Sequence, residues 1–168
     1  MERRDIYYEA IAKGYDELHR DEQLRKSAII KKEIPIKEGY LLLDVGCGPC
    51  FHDFGCKVVG IDTCLSFLKG AKKNASLVIQ GYAENLPFKD NSFDIVVSIT
   101  ALQNFSNPKK ALIEIKRVGR LYCAVTYLAK SKKAQKLESL IKKTFPLFRR
   151  IVEEKDIIFI INLSDNRL

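Results

Sequence analysis

The chain has 168 residues, of which 46% are hydrophobic and 30% are charged, and this is the size and balance of one globular domain. The composition excludes a disordered tail, a collagen-like repeat and a small scaffold held together by disulfides. The longest apolar runs, 40–43 and 157–161, are far shorter than the roughly 20 residues of a membrane span, and the first residues lack the apolar stretch of a secretory signal. We therefore expect a cytoplasmic protein.

The net charge of +8 is concentrated in residues 130–150, which we call the basic segment. This segment has eight basic residues and one acid, Glu138, so it carries +7, while the rest of the chain has 21 basic and 20 acidic residues. The basic residues are Lys130, Lys132, Lys133, Lys136, Lys142, Lys143, Arg149 and Arg150. The solvated face of an amphipathic helix explains such a run, and a surface that binds RNA or an acidic protein partner is the alternative.

The hydrophobic pattern alternates between strand-like and helix-like segments, which predicts an α/β protein with a Rossmann-like, doubly wound, mostly parallel sheet. Several apolar runs are continuous, as is typical of strands buried on both faces of a parallel sheet. Strands are predicted over 40–45, 57–62, 77–80, 93–99 and 120–127, and a C-terminal antiparallel hairpin is predicted over 148–153 and 157–162.

Helices are predicted before the first strand and between the later ones. The first covers 6–32, is broken near Gly14, and places Leu24, Ala28 and Ile29 on its apolar face. The second helix follows Asp62 or Thr63 and ends near residue 74. The third begins at Asn107-Pro108, and the fourth runs from about residue 134 to Pro146. We expect a single domain over 1–168, with a helical cap over 1–35, a core over 40–127, and the basic helix and hairpin over 130–162.

Ligands of doubly wound sheets bind at the carboxyl ends of the strands, near the switch in strand order. The first predicted strand ends in Asp44-Val45-Gly46-Cys47-Gly48, where two glycines allow a tight turn and a close approach to a ligand. The second ends at Asp62, 16 residues after Gly46, near the spacing at which a carboxylate binds the ribose hydroxyls of a nucleotide. The segments 81–88 and 98–105 follow the third and fourth strands. These features predict a site for an adenosine-type ligand.

The same stretches resemble class I S-adenosylmethionine-dependent methyltransferases of the small ubiquinone-biosynthesis-like type. The matching segments are 8–18, 42–48, 58–62, 83–88, 92–97 and 111–118, in the family's order. The resemblance implies S-adenosyl-L-methionine as the cofactor and transfer of its methyl group to an acceptor, which is a small molecule, an RNA or a protein. It also allows a small zinc-binding activator protein as a partner, on which some small methyltransferases depend.

The resemblance implies roles for individual residues. Asp44, Gly46 and Gly48 would line the methionine half of the cofactor, Asp62 would bind the ribose diol, and Tyr15 would cover the site from the first helix. The remaining contacts would be made at the adenine by Thr63, Ala83, Glu84 and Leu86, and near the sulfonium by Thr100 and Ala101.

The resemblance assigns no catalytic residue, and Tyr15, His19 and His52 are the candidates. Core packing is the other interpretation of Tyr15. For His52 the other interpretation is a surface position in the loop after the first strand.

The chain departs from the family pattern in three places. Cys50 replaces the third glycine of the first loop, and Tyr82 replaces an acid that holds the adenine amino group. Only residues 51–56 separate that loop from the second strand, which is too few for a full helix. A trimmed loop predicts weakened cofactor binding, so a cofactor-binding or scaffold protein that has lost catalysis and needs a partner is the first alternative.

The five cysteines are an odd number and include one Cys-x-x-C motif, so we expect neither a disulfide framework nor a metal site. The motif Cys47-Gly48-Pro49-Cys50 matches the active-site tetrapeptide of thioredoxin-like proteins, which makes a thiol–disulfide oxidoreductase the second alternative. The absence of tryptophan from the chain and the lack of room for a helix after Cys50 argue against it.

Overall fold

The computed structural model describes the backbone of residues 15–71 and 75–166 and side chains from Arg20 onward. Four helices and seven strands make up this part of the chain. The helices are α1 (Tyr15–Glu33), α2 (Leu65–Ala71), α3 (Pro108–Val118) and α4 (Ala134–Thr144), with a 3₁₀ turn at Leu102–Asn104. The strands are β1 (Leu41–Val45), β2 (Lys57–Asp62), β3 (Leu77–Gln80), β4 (Phe93–Ser98), β5 (Gly119–Leu128), β6 (Arg149–Glu153) and β7 (Asp156–Asn162).

All seven strands form one sheet in the order β3-β2-β1-β4-β5-β7-β6. The first five in this order pair in parallel, and β7 pairs antiparallel with both β5 and β6. The predicted fold class is therefore confirmed. The bounds of β2 and β3 agree with the sequence prediction, and β1, β4 and β5 differ from it by one residue at an end or at both ends.

Helices α3 and α4 cover one face of the sheet. Their apolar stripes bury Ala111, Leu112 and Ile115 of α3 and Leu137 and Ile141 of α4. The side chain of Asn107 accepts a hydrogen bond from the N–H of Lys110 at 3.1 Å and caps α3, which has proline at its first turn as predicted.

The opposite face is covered by α1, α2 and the irregular segment 46–56. This segment, all of which is described, contains no helix. Cys50 and Phe54 are fully buried there and pack with Ile30 of α1 and Leu68 of α2 in one apolar cluster. A few apolar side chains thus take the place of a crossover helix between β1 and β2.

The buried face of α1 differs from the prediction. Leu24 and Ala28 are exposed and Ile29 is half-buried, whereas Gln23, Lys26, Ser27 and Ile30 are buried. The predicted apolar face is therefore wrong, and the reason is that Lys26 pairs with the buried Asp156, described below, which turns a charged side chain inward. The part of the predicted helix before residue 15 lies outside the described residues.

Helix α2 begins at Leu65, later than the predicted cap at Asp62 or Thr63, and it runs to Ala71. The predicted end near residue 74 lies outside the described residues. Within the described part of the chain, no helix combines the length and the apolar character needed to cross a membrane.

Candidate functional site

A pocket opens at the carboxyl ends of the parallel strands. It lies where the strand order reverses between β1 and β4, which is where ligands of doubly wound sheets bind. The lining residues come from the first loop, the end of β2, the segment after β3 and the segment after β4. They are Gly46, Gly48, Ile61, Asp62, Thr63, Phe67, Gly81, Tyr82, Ala83, Glu84, Ile99, Thr100, Ala101, Asn104, Phe105 and Ser106.

The turn after β1 needs glycine at position 46. Gly46 has a φ of +75°, and a Cβ added there would lie 2.6 Å from the Cβ of Ala101. Its N–H donates to the carbonyl oxygen of Ile61 at 2.8 Å, which ties the turn to the end of β2. The turn is thus held close against two neighbouring strand ends, so that main chain rather than side chain faces the pocket.

Asp62 connects the first loop to the end of β2. One of its carboxylate oxygens accepts a hydrogen bond from the N–H of Gly48 at 2.9 Å, and the other accepts one from the N–H of Cys64 at 2.9 Å. The carboxylate therefore fixes the glycine turn while it also lines the pocket.

The carboxyl group of Asp44 lies buried beneath this turn, with 1% of the residue exposed. Its Oδ2 atom accepts no hydrogen bond from any described residue. Burial, and then the nearby charge of Asp62, raises the pKa of Asp44 to about 7. A cation placed in the adjoining pocket would stabilise the ionised form.

The segment after β3 is held by α3. The N–H of Leu86 donates to the Glu114 carboxylate at 2.9 Å, and the Arg117 guanidinium donates to the carbonyl oxygen of Leu86 at 3.0 Å. The hydrogen bond from Arg117 is the main cause that lowers the pKa of Glu114. Glu84 in the same segment accepts a hydrogen bond from the N–H of Asn107 at 2.9 Å. These contacts anchor the third strand end beside the pocket.

Eight of the eleven residues that the sequence suggested for cofactor contact line the pocket: Gly46, Gly48, Asp62, Thr63, Ala83, Glu84, Thr100 and Ala101. Asp44 and Leu86 are buried beside it and are not lining residues. The side chain of the eleventh residue, Tyr15, lies outside the described residues, as does that of the catalytic candidate His19.

His52 is buried rather than on the surface of its loop, so the surface interpretation is wrong. It is 6% exposed, its ring lies 5.7 Å from the ring of Phe54, and its Nδ1 atom has no described hydrogen-bond partner. Burial, and then the charge of Lys26, lowers its pKa to about 4, so the ring is neutral at pH 7. It does not line the pocket.

Cys47 and Cys50 are both buried, and neither forms a disulfide. A hydrogen bond with Cys50, followed by burial, raises the pKa of the Cys47 thiol well above its ordinary value. A nucleophilic redox cysteine needs the opposite shift. Cys50 has a φ of +56°, so it takes up the left-handed conformation that a glycine would adopt at this position without strain.

The sequence did not suggest the polar side chains that surround Thr100. The Thr100 hydroxyl accepts a hydrogen bond from Lys26 Nζ at 2.7 Å and donates one to Asp156 Oδ1 at 2.9 Å. Its N–H donates to Thr126 Oγ1 at 2.7 Å, and its carbonyl oxygen accepts from Gln103 Nε2 at 2.6 Å. Except for Gln103 these partners are far from Thr100 in the sequence, so no local pattern could have indicated them.

All eight basic side chains of the basic segment are exposed. Its ion pairs join Lys142 and Arg150 to Glu138 and Arg149 to Glu33. Lys133, just before α4, donates to the carbonyl oxygen of Gln103 at 2.8 Å, which brings this end of the segment to the 3₁₀ turn beside the pocket.

The comparisons with known proteins agree with this architecture. Residues 43–121 match the family model of a methyltransferase domain. The demethylmenaquinone methyltransferase of Paenarthrobacter aurescens is 36% identical over 120 residues, which are 65% of this chain and 47% of that protein. The chain spans about half the length of the curated relatives it matches.

Two solved structures share the fold. One is a methyltransferase of Haloferax volcanii in complex with the methyltransferase activator Trm112, with a TM-score of 0.74, 15% identity, and coverage of 93% of this chain and 97% of that one. The other is an S-adenosylmethionine-dependent methyltransferase from Aquifex aeolicus, with a TM-score of 0.71, 20% identity, and coverage of 92% and 98%. Residues 43–121 thus resemble the methyltransferase domain family, and the fold is the one seen in solved S-adenosylmethionine-dependent methyltransferases.

Proposed function

We propose that the protein is a methyltransferase that binds S-adenosylmethionine in the pocket at the carboxyl ends of β1, β2 and β4. One observation carries this proposal: the glycine turn 46–48 and the carboxylate of Asp62 line the same pocket and are joined by the hydrogen bond from Gly48 to Asp62. A main-chain turn beside a carboxylate is the arrangement that binds an adenosine-containing cofactor in doubly wound sheets.

The electrostatics of the pocket suit this ligand. S-adenosylmethionine carries an ammonium group and a sulfonium group, and the pocket has Asp62 in its lining and Asp44 beneath its glycine turn. Asp44 does not line the pocket, so its charge would act on a bound cation from beneath the turn rather than through a direct contact.

When bound, the cofactor supplies a methyl group that is activated by the sulfonium and that an acceptor nucleophile attacks in line. The residues of this chain then have to bind and orient the two reactants. In our proposal Asp62 binds the ribose, Ala83 and Glu84 border the adenine, and Thr100 and Ala101 form the wall nearest the sulfonium. Proximity and orientation of the two reactants supply much of the rate.

A cofactor-binding protein with weakened catalysis is the second candidate, and the segment 46–56 favours it. This segment lacks a helix, and Cys50 has the left-handed conformation that strains a residue with a Cβ. We propose that an activator protein of the Trm112 type compensates for this loop, as the complex of the Haloferax volcanii methyltransferase suggests. The raised pKa of Cys47 disfavours the thiol–disulfide oxidoreductase.

We propose a polyanionic acceptor, such as an RNA, because the basic segment adjoins the pocket. Its eight exposed cations include Lys133, which contacts the turn that leads into the pocket wall. Phosphate groups bind such surfaces electrostatically and without sequence preference.

Calorimetric titration with S-adenosylmethionine and S-adenosylhomocysteine tests the proposed cofactor site. We expect micromolar binding that Asp62→Ala weakens by at least about tenfold, because a charge-assisted contact of about 1.5–3 kcal/mol is lost. The matched control is Asp53→Ala, since Asp53 also accepts a hydrogen bond from the N–H two residues later but lies exposed and outside the pocket. Binding that both variants leave unchanged would contradict the proposed site, and no binding by the natural sequence alone or with an activator would contradict the function.

A further inference from the structure

Thr100 lies at the pocket wall in a conformation that its own side chain disfavours. It is β-branched and has a φ of +54°, in the left-handed region that such residues rarely enter. Strained residues of this kind persist only where the surrounding structure holds them, and they are concentrated at functional sites.

The strongest of the contacts around Thr100 comes from a buried ion pair. Lys26 Nζ lies 2.7 Å from Asp156 Oδ2, and both side chains are completely buried. The same ammonium contacts Glu22 Oε1 at 2.8 Å. Lys26 donates to the hydroxyl of Thr100, which in turn donates to Asp156, so the two charges hold this hydroxyl between them.

A buried ion pair is weak evidence for a gain in stability. Removing two charges from water is costly, and apolar replacements of such pairs are often neutral or stabilising. Because a gain in stability does not by itself account for this ion pair, its contact with a strained residue at the pocket wall is the better explanation of its burial.

We propose that Lys26 and Asp156 are positioning residues that hold Thr100 in its left-handed conformation and so fix the pocket wall at the end of β4. The proposal rests on the proposed function, since that wall would lie nearest the transferred methyl group. Lys26 belongs to α1 and Asp156 begins β7, so the wall is complete only when both elements are docked on the sheet. Neither residue touches the pocket itself.

The test is a double variant, Lys26→Met with Asp156→Leu, which removes both charges and leaves neither one unpaired. We expect this variant to remain folded, with its Tm close to that of Arg120→Met. That control breaks an exposed ion pair with Asp94 at the opposite ends of β4 and β5. We also expect the double variant to bind S-adenosylhomocysteine at least about tenfold more weakly than the control does.

A second measurement reports on Thr100 directly. The three-bond coupling between its amide and α protons, together with its Cα and Cβ chemical shifts, distinguishes positive from negative φ. We expect the positive-φ signature in the natural sequence and in Arg120→Met, and its loss in the double variant. If the double variant does not fold, Asp156→Asn, which keeps the shape of the side chain but removes its charge, takes its place in both measurements.

The possible results distinguish a failure of the positioning role from a failure of the proposed function. If the folded variant keeps both the positive φ of Thr100 and the affinity of the control, the positioning role is overturned. If the variant keeps the positive φ of Thr100 but binds S-adenosylhomocysteine more weakly than the control does, the weaker binding has another cause and the positioning role is likewise overturned. If the natural sequence fails to bind either cofactor form, the proposed function fails, and the conformation of Thr100 in the variant still decides whether the ion pair holds it.

Discussion

Asp44 is a buried acid beneath the glycine turn that borders the pocket. Its carboxyl group is buried, it lies near Asp62, and its Oδ2 atom has no hydrogen-bond partner among the described residues. Because burial raises its pKa to about 7, the residue changes its charge within the physiological range of pH. Cofactor binding and folding should both depend on this titration, with opposite signs.

We expect the affinity for S-adenosylmethionine to rise as the pH increases through about 7, because only the ionised Asp44 attracts the cationic ligand. At about one pH unit below the pKa roughly a tenth of the molecules are ionised, so the affinity should fall by up to about tenfold there. Titration calorimetry from about pH 6 to about pH 8 measures this profile, and Asp44→Asn should flatten it. An unchanged slope in Asp44→Asn would assign the titration to another group.

The free energy of unfolding of the cofactor-free protein should change with pH in the opposite direction. The pKa of Asp44 is raised above its ordinary value of 3.8, so the folded state binds this proton more tightly than the unfolded state does. The resulting stabilisation is complete below that value and is lost as the pH rises from about 4 to about 7. Chemical denaturation of the natural sequence and of Asp44→Asn across this window measures the contribution of this residue.

Strand β3 is an edge of the sheet, because its only pairing in the described structure is with β2. Leu77 at its start is 52% exposed, Tyr82 just beyond its end is 58% exposed, and Leu65 of the preceding helix is 46% exposed. An uncovered edge with apolar side chains favours pairing with another chain. This edge is where we expect an activator of the Trm112 type to dock.

Replacing Leu77 with Glu should therefore weaken binding to such an activator by at least about tenfold, since one buried leucine contributes about 1.5–3 kcal/mol. Haloferax volcanii Trm112 is the available probe, and calorimetry measures its affinity. Ile113→Glu is the matched control, because Ile113 is 49% exposed on α3, away from this edge. Equal losses in the two variants would argue against docking at β3.

The elements that the sequence predicted well are those whose signals are local. The bounds of β2 and β3 follow from continuous apolar runs, and the start of α3 follows from Asn107-Pro108. The glycine turn and Asp62 could be predicted in the same way, from motifs at strand ends. The orientation of α1 could not be predicted from the sequence, because lysine is usually a solvent-facing residue. Only its distant partner Asp156 explains the burial of Lys26.

Charge is distributed unevenly over the molecule as a whole. The basic segment supplies +7 of the net +8, and its eight basic side chains are exposed. Lys133 brings one end of this surface to the pocket rim through Gln103. A polyanion that lies along α4 would thus have a path to the proposed site of methyl transfer.

Binding to a purified tRNA mixture should weaken with salt and depend on this segment. The test variant combines Lys130→Gln, Lys132→Gln and Lys136→Gln. The control has the same change in net charge at exposed lysines elsewhere and combines Lys37→Gln, Lys57→Gln and Lys89→Gln. In the test variant, the slope of the logarithm of the binding constant against the logarithm of the salt concentration should become less steep by about 0.7–0.9 for each phosphate contact removed. Equal losses in both variants would indicate only a general response to charge.

The contact between Lys26 and Asp156 also bears on the order of events during synthesis. The ribosome releases α1 long before β7, so for most of translation the Lys26 ammonium has no Asp156 to meet. The parallel strands β1 to β4 can assemble in this interval. Helix α1 cannot yet pack with Lys26 buried without the desolvation penalty of a charge that lacks its Asp156 partner. The nascent chain thus acquires its central sheet first and the finished pocket wall last, when the final hairpin joins the edge of β5.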